Sequence, residues 1–155
     1  MKKQRIKRWL LARLLKKQSR IAKSEDADEY LEQLKQTLDG EIAQNGLDSD
    51  CTLLARYLVA NQLEEMGRRQ EAQMLWETQV ETNRRIFGVD DPGTLRIEEY
   101  LAVNVFNSND LARAKDLFVH IFEVRQGTLG LNHEETQWVG RWIESIDEAE
   151  RTESE

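Results

Sequence analysis

A glycine-centred stretch occurs three times along this chain, at intervals of 42 residues. NGLDSD begins at Asn45, FGVDDP begins at Phe87 and LGLNHE begins at Leu129. The second residue of each stretch is glycine, and a threonine follows each glycine six residues later, at positions 52, 94 and 136. A period of roughly 20 to 50 residues is the sequence signature of a repeat architecture, in which one supersecondary unit is stacked several times. We therefore predict a repeat protein.

Composition favours helices and shows an uneven distribution of charge. The 155 residues include one proline and eight glycines, and 33% are charged. Good helix formers are abundant, whereas β-branched residues are sparse. Residues 1–23 carry ten Lys or Arg and no acid, and the remaining 132 residues carry 12 basic and 29 acidic residues, a balance of −17. The sequence therefore predicts a basic N-terminal segment attached to an acidic body.

Residues 46–87 contain two helical patterns in succession. Ser49 is placed to cap the first helix, which is expected to end just before Gly67. The second pattern follows directly and occupies residues 68–87, where apolar residues recur every three or four positions. One 42-residue interval therefore predicts one helix hairpin, made of a first helix and a second helix.

Residues 88–129 repeat this hairpin. Asp91 is placed as the N-cap and Pro92 as the first helical residue, where its missing N–H is not needed. Asn109 stands at the position that Gly67 occupies in the preceding unit. Small and bulky apolar residues of the two units match in phase: Ala60/Ala102, Leu63/Val105, Ala72/Ala114, Leu75/Leu117, Trp76/Phe118 and Val80/Phe122.

Partial units are expected at both ends of the repeat region. Residues 130–150 supply one capping helix, with an apolar stripe that we expect to belong to the core: Trp138, Trp142, Ile143 and Ile146. Residues 26–45 have the pattern of a second helix, and residues 4–22 would be the first helix of that same unit. The segment 24–150 is therefore predicted to hold the repeats, in an all-α fold of about seven helices, followed by an acidic tail at 151–155.

Two motifs of these units resemble tetratricopeptide (TPR) repeats of the long, kinesin-light-chain type. They are GRRQEA at residues 67–72, in the turn within a hairpin, and DPGTL at residues 91–95, at the start of a unit. TLRIEEYLA at residues 94–102 is similar to the Thr-Leu-x-x-x-x-Asn-Leu-Ala helix of that family. The resemblance implies a right-handed solenoid of antiparallel helix hairpins. It also implies that the first helices line a concave groove that holds a peptide or a helix of another protein.

The first helices supply the candidate groove residues. In the family, Asn side chains before the Leu-Ala pair contact the bound peptide, but here those positions hold Tyr57 and Leu58, Glu99 and Tyr100, and Arg141 and Trp142. That contact is therefore not carried over. The candidates are Arg56, Tyr57, Asn61, Arg96, Glu99, Tyr100, Asn104 and Arg141. Four of them are expected to be exposed: Arg56, Asn61, Arg96 and Asn104.

Catalytic and metal-binding motifs are absent from the sequence. There is no Gly-rich phosphate loop, no His-x-x-x-His pair and no Cys-x-x-Cys pair. The lone Cys51 is predicted to be a packing residue, which suits a reducing, cytoplasmic location. His133 is placed to cap a helix, His120 lies in a second helix near Asp116 and Glu123, and the adjacent acids Glu98-Glu99 are expected to be solvated. We expect no catalytic site, no metal and no cofactor.

The basic segment 1–23 has three open interpretations. As a helix it gathers Ile6, Leu10, Leu14 and Ile21 on one side. It can be the first solenoid helix, packed on residues 26–44. It can instead lie on an anionic membrane surface, or contact nucleic acid through phosphates, which the acidic body disfavours. The residues expected to contact a membrane or anion are Arg5, Arg8, Trp9, Lys16 and Arg20.

The sequence as a whole predicts a non-catalytic adaptor that binds a segment of another protein. The acidic body favours a basic partner, because opposite charge accelerates encounter. The alternative is a peripheral membrane adaptor anchored by residues 1–23. Self-association through the end faces of the repeat stack is also open.

Overall fold

The computed structural model describes residues 27–152. This range contains six α-helices and no β-strand, which confirms the all-α prediction. The helices are α1 (Ala27–Asn45), α2 (Asp50–Glu65), α3 (Arg69–Phe87), α4 (Pro92–Asn107), α5 (Leu111–Leu129) and α6 (Glu134–Thr152). The helix expected at residues 4–22, the whole basic segment 1–23 and residues 153–155 lie outside the described residues. Among residues 27–152, no helix combines the length and apolar character needed to cross a membrane.

The helix starts follow the predicted capping chemistry. Ser49 caps α2, and its hydroxyl accepts a hydrogen bond from the Thr52 N–H at 3.1 Å. Asp91 caps α4, its carboxylate accepting hydrogen bonds from the N–H groups of Gly93 and Thr94. These bonds satisfy N–H groups that have no partner within the helix. The repeated boundaries thus arise from short-range interactions that each unit makes for itself.

The turn inside each hairpin needs a left-handed backbone residue. Gly67 has a φ of 72° and Asn109 has a φ of 66°, so the two positions that match in phase adopt the same conformation. Glycine reaches this region without a steric penalty, and Asn is among the few other residues that tolerate it. The prediction that Asn109 takes the place of Gly67 is confirmed.

The chain divides into two compact units, Met1–Thr82 and Asn83–Glu155. In the first unit α1 packs against α2, and α2 in turn contacts the first part of α3. Trp76 of α3 is buried, packs edge-on against Tyr57 at a ring-centroid distance of 5.6 Å, and donates its indole N–H to the Glu64 carboxylate at 3.2 Å. This tryptophan joins the two helices of the hairpin.

The second unit packs α4 against α5 and α5 against α6. Phe118 of α5 is fully buried, and its ring stacks on Trp142 of α6 at 5.4 Å. Lys115 of α5 lies 2.7 Å from Asp147 and 2.8 Å from Glu150 of α6. Hydrogen bonds to Asp147 and then Glu150 raise the pKa of Lys115 above its ordinary value. Aromatic packing and an ion pair thus fix α6 on the second unit.

Candidate functional site

A pocket of about 330 Å³ lies between the first helices α4 and α6, and we call it the α4–α6 pocket. It is lined by Arg96 and Glu99 of α4, Arg125 of α5, and Glu134, Glu135 and Trp138 of α6. Two of these residues, Arg96 and Glu99, belong to the groove surface predicted from the sequence. The pocket therefore combines an aromatic side chain, two arginines and three carboxylates.

Arg125 organises the charged side of the α4–α6 pocket. Its side chain is only 5% exposed and forms an ion pair with Glu99. Its second guanidinium nitrogen lies 3.4 Å from the Glu135 carboxylate. Arg96 approaches the same Glu135 carboxylate at 3.6 Å, but its own side chain is 60% exposed. The buried arginine is consequently held in place, whereas the exposed one remains accessible from solvent.

Glu99 is a half-buried carboxylate whose ionisation is opposed by its surroundings. Burial raises the pKa of Glu99, and the charge and hydrogen bond of Arg125 lower it by less. Nearby Glu135 adds to the increase in this pKa. Removing a carboxylate from water disfavours its charged form, so the net direction shows that desolvation dominates here.

Trp138 forms the aromatic wall of the α4–α6 pocket. Its ring makes edge-on contacts with Phe118 at 6.4 Å and with Trp142 at 5.9 Å. These neighbours fix the orientation of the indole, while its residual exposure leaves part of it accessible. The sequence predicted Trp138 as a core residue. The structure gives it both a packing role and a place in the pocket wall.

Two of the predicted groove residues are buried, contrary to the expectation that they are exposed. Arg56 is 4% exposed and donates a hydrogen bond to the Gln79 side chain of α3 at 3.1 Å. Burial lowers the pKa of Arg56, and the charge of Asp48 partly opposes that change. Asn104 is 1% exposed. Both side chains face the interior of their unit, where no peptide can reach them.

The remaining groove candidates occupy more accessible positions. Tyr57 is half-buried against Trp76, and Asn61 and Tyr100 are also half-buried. Arg141 is exposed but lines a different groove, on α6. The structure therefore brings together only Arg96 and Glu99 of the predicted set in one pocket.

Glu98 is fully buried, which corrects the expectation that the pair Glu98-Glu99 is solvated. Arg84 donates to one Glu98 oxygen at 2.6 Å, and the His120 Nδ1 lies 2.9 Å from the other. The His120 Nε2 is 3.9 Å from Asp90, so the histidine pairs with acids distant in sequence and not with Asp116 or Glu123. The pairing satisfies a carboxylate that would otherwise be costly to bury.

His133 and the acidic side chains of the second unit do not assemble into a metal site. The His133 Nδ1 accepts a hydrogen bond from the Glu135 N–H at 3.3 Å, in keeping with the predicted capping role. In residues 27–152, no group of three or more His, Cys, Asp or Glu side chains is placed to hold a metal ion.

Three residues of the α4–α6 pocket were missed as site residues from the sequence: Arg125, Glu134 and Glu135. Arg125 matches Asn83 in phase and Glu135 matches Gly93, so the repeat offers no charged counterpart for either. The only available signal was position, because Glu134 and Glu135 open the first helix of a unit. Their convergence on Arg125 depends on how three helices pack, which periodicity alone does not specify.

Comparisons with known proteins identify the fold. No protein-family profile and no curated protein matches the chain. A Podosopora anserina chain with nearly identical TPR-like repeats, assigned as a kinesin light chain, superposes with a TM-score of 0.77 at 18% identity, as does its single-substitution variant. Each match covers 88% of this chain and 64% of the other.

A bacterial counterpart shows the same likeness. BtubC (BKLC) from P. vanneervenii superposes with a TM-score of 0.69 at 16% identity, over 79% of this chain and 49% of that one. This chain therefore spans less than two thirds of the length of each structure that it resembles. The helix hairpins described above have the TPR-like repeat fold found in kinesin light chain proteins.

Proposed function

We propose that this chain is a non-catalytic adaptor that binds a segment of another protein across the α4–α6 pocket. The observation that carries the proposal is the composition of the pocket, because two successive first helices contribute accessible side chains to one concavity. TPR-like folds generally bind other proteins, and the resemblance places the binding groove on the first helices. The fold alone would not identify a function, so the argument rests on the pocket.

The partner segment is expected to carry a basic side chain beside an apolar one. Glu134 and Glu135 present carboxylates at the rim, and Trp138 offers an aromatic surface on which an arginine or lysine can stack. Exposed Arg96 would contact an acidic group or a backbone carbonyl of the same segment. The acidic body would accelerate the encounter with a basic partner, in a manner that salt weakens.

Peptide selection on the immobilised full chain tests this function. Peptides recovered from a random library should be enriched in Lys or Arg beside an aliphatic or aromatic residue. Their affinity should fall on the order of tenfold for Glu134→Lys, which reverses a rim charge, because a repulsive pair replaces an attractive one. Glu123→Lys on α5 is the matched control, since Glu123 is exposed and lines no described pocket.

Two outcomes would contradict the proposal. One is a set of selected peptides that bind wild type, Glu134→Lys and Glu123→Lys with the same affinity. The other is a failure of Arg96→Glu to alter any selected interaction. Titration calorimetry distinguishes loss of binding from loss of folding if circular dichroism is recorded on the same samples.

A second candidate function is peripheral association with an anionic membrane. It is favoured by the ten basic residues of segment 1–23 and by Trp9, a residue type common at membrane interfaces. Co-sedimentation of the full chain with phosphatidylserine vesicles, compared with phosphatidylcholine vesicles, tests it. Loss of sedimentation in a variant with Arg5, Arg8, Lys16 and Arg20 changed to Gln would support an electrostatic anchor. Equal sedimentation with both lipids would contradict it.

A further inference from the structure

Four positions of each first helix face its second helix, and comparison of the units shows that α6 lacks this cover. In α2 and α4 all of these positions are buried. They are Leu53, Arg56, Val59 and Ala60 in α2, and Leu95, Glu98, Leu101 and Ala102 in α4. The matching positions of α6 are all partly or largely exposed: Gln137, Gly140, Ile143 and Glu144. No helix within residues 27–152 covers this face of α6.

The uncovered face forms a groove of about 510 Å³, which we call the α6 groove. Phe122 of α5 forms one wall, and the four uncovered positions of α6 lie in it together with Leu131 and Arg141. Gly140 keeps the groove floor low, since a Cβ there would come within 3.3 Å of the Phe122 ring. A groove shared by a first helix and the preceding second helix is the place that a further second helix would fill.

The chemistry of the α6 groove selects a helix that carries positive charge. Glu144 occupies the column in which the covered units have Ala60 and Ala102. A purely apolar helix laid into the groove would bury this carboxylate without a partner, which is unfavourable. A helix with Lys or Arg beside its apolar stripe would bury Ile143 and Phe122 and pair with Glu144 at once.

The chain itself contains a segment with this chemistry. Residues 4–22 place Ile6, Leu10 and Leu14 at a spacing of four, which is helical, and the segment 1–23 carries ten basic residues and no acid. As a helix these 19 residues would be about 28 Å long, the same as the 19-residue second helices α1, α3 and α5. Length, apolar spacing and charge sign all suit the groove.

We propose that residues 4–22 of one copy dock as a helix in the α6 groove of a second copy. In its own chain the segment is joined to α1 by only residues 23–26, which span at most about 14 Å. It is therefore confined to the surroundings of Ala27, whereas a second copy carries no such restriction. The contact is heterologous, so it either closes on itself as a ring or dimer or continues as a chain of copies.

Analytical ultracentrifugation of the full chain over a concentration series tests this contact. Wild type should associate reversibly, and Glu144→Lys should weaken association on the order of tenfold, since it sets like charges against each other. Glu148→Lys is the matched control, because it makes the same charge change at an exposed position of α6 outside the groove. Association should also weaken as salt is raised.

Complementation separates this contact from other kinds of association. A second variant, Leu10→Glu with Leu14→Glu, alters the docking segment and leaves the groove unchanged. Each variant alone should remain monomeric, because one has no groove and the other has no docking segment. An equimolar mixture should form a complex of the two, since the intact segment of the Glu144→Lys copy meets the intact groove of the other copy.

Three results would overturn the proposal. They are a wild-type chain that stays monomeric at every concentration, equal weakening by Glu144→Lys and Glu148→Lys, or a mixture that shows no complex. Packing of residues 4–22 within their own chain predicts the first result. A segment used only for membrane binding also predicts a monomer, and would then co-sediment with anionic vesicles. Circular dichroism of each variant checks that the helices are retained.

Discussion

Substitutions at Gly67 should reveal how much the left-handed turn contributes to the first hairpin. An L-residue with a φ near 72° suffers a clash of its Cβ with its own backbone, which costs roughly 1–2 kcal/mol. A Cβ built at Gly67 meets no other atom within 4 Å, so the surroundings add nothing to this cost. Gly67→Ala is therefore expected to lower the free energy of unfolding by about 1–2 kcal/mol.

Three further variants isolate the backbone conformation as the cause. Gly67→Asn should cost only a few tenths of a kcal/mol, because Asn tolerates the left-handed region and Asn109 already occupies the matching position. Asn109→Gly should likewise be close to neutral, and Asn109→Ala should cost about 1 kcal/mol. Gly127→Ala is the opposite control, since it lies inside α5 in open space and should stabilise by about 0.5–1 kcal/mol.

Equilibrium urea unfolding, followed by tryptophan fluorescence and by circular dichroism, measures these differences. For a domain of this size, 1 kcal/mol corresponds to a change in Tm of about 2–4 °C. Coincidence of the two signals establishes that a single free energy is meaningful for a chain with two compact units. If Gly67→Ala were as stable as wild type, or if Gly67→Asn cost as much as Gly67→Ala, the explanation from backbone conformation would be refuted.

Three other perturbations follow from buried polar groups. Gln62 is fully buried, and its amide has no hydrogen-bond partner among the described residues; Gln62→Met should raise the free energy of unfolding by about 1 kcal/mol in urea titration, and Ile146 shows that its column accepts an apolar residue. Arg125→Ala should cost about 3 kcal/mol because it leaves Glu99 without its cation, and adding Glu99→Ala should recover part of this cost in a double-mutant cycle. Burial raises the pKa of Glu99, so its contribution to stability is fully present below the unfolded pKa of about 4.3 and is lost as pH rises through the folded pKa. Unfolding at about pH 3.5 and about pH 7 should thus show Glu99→Gln gaining stability relative to wild type at the higher pH, with Glu134→Gln as the control.

The period and the helix boundaries could be predicted because they depend on local chemistry. Ser49 and Asp91 cap their helices through bonds to N–H groups within three residues, and Asn109 adopts the turn conformation that its phase indicated. Such interactions are short-range, so they are visible in a single sequence. The same holds for the expectation of helix hairpins, which needs only apolar spacing and turn residues.

Burial of charged and polar residues could not be predicted residue by residue, although the repeat contained a signal for it. Thr52, Thr94 and Thr136 are all fully buried, and Arg56 and Glu98 follow the first two by one helical turn, on the same face. Asn104 stands in the column of the buried Ile146. Charge suggested solvent exposure, but tertiary pairing outweighed it: Arg56 bonds to Gln79, and Glu98 to Arg84 and His120.

The repeat also separates positions that maintain stacking from positions that are free to bind. A column that must pack identically in each unit keeps one kind of residue, as Ala60 and Ala102 do. The column of Leu54, Arg96 and Trp138 changes chemistry in each unit, and its last two members line the α4–α6 pocket. Packing does not demand this variation, because the same fold accepts a leucine, an arginine and a tryptophan there. Where a repeat protein keeps its backbone but changes its side chains, the changed columns that remain accessible are the ones from which recognition can be built.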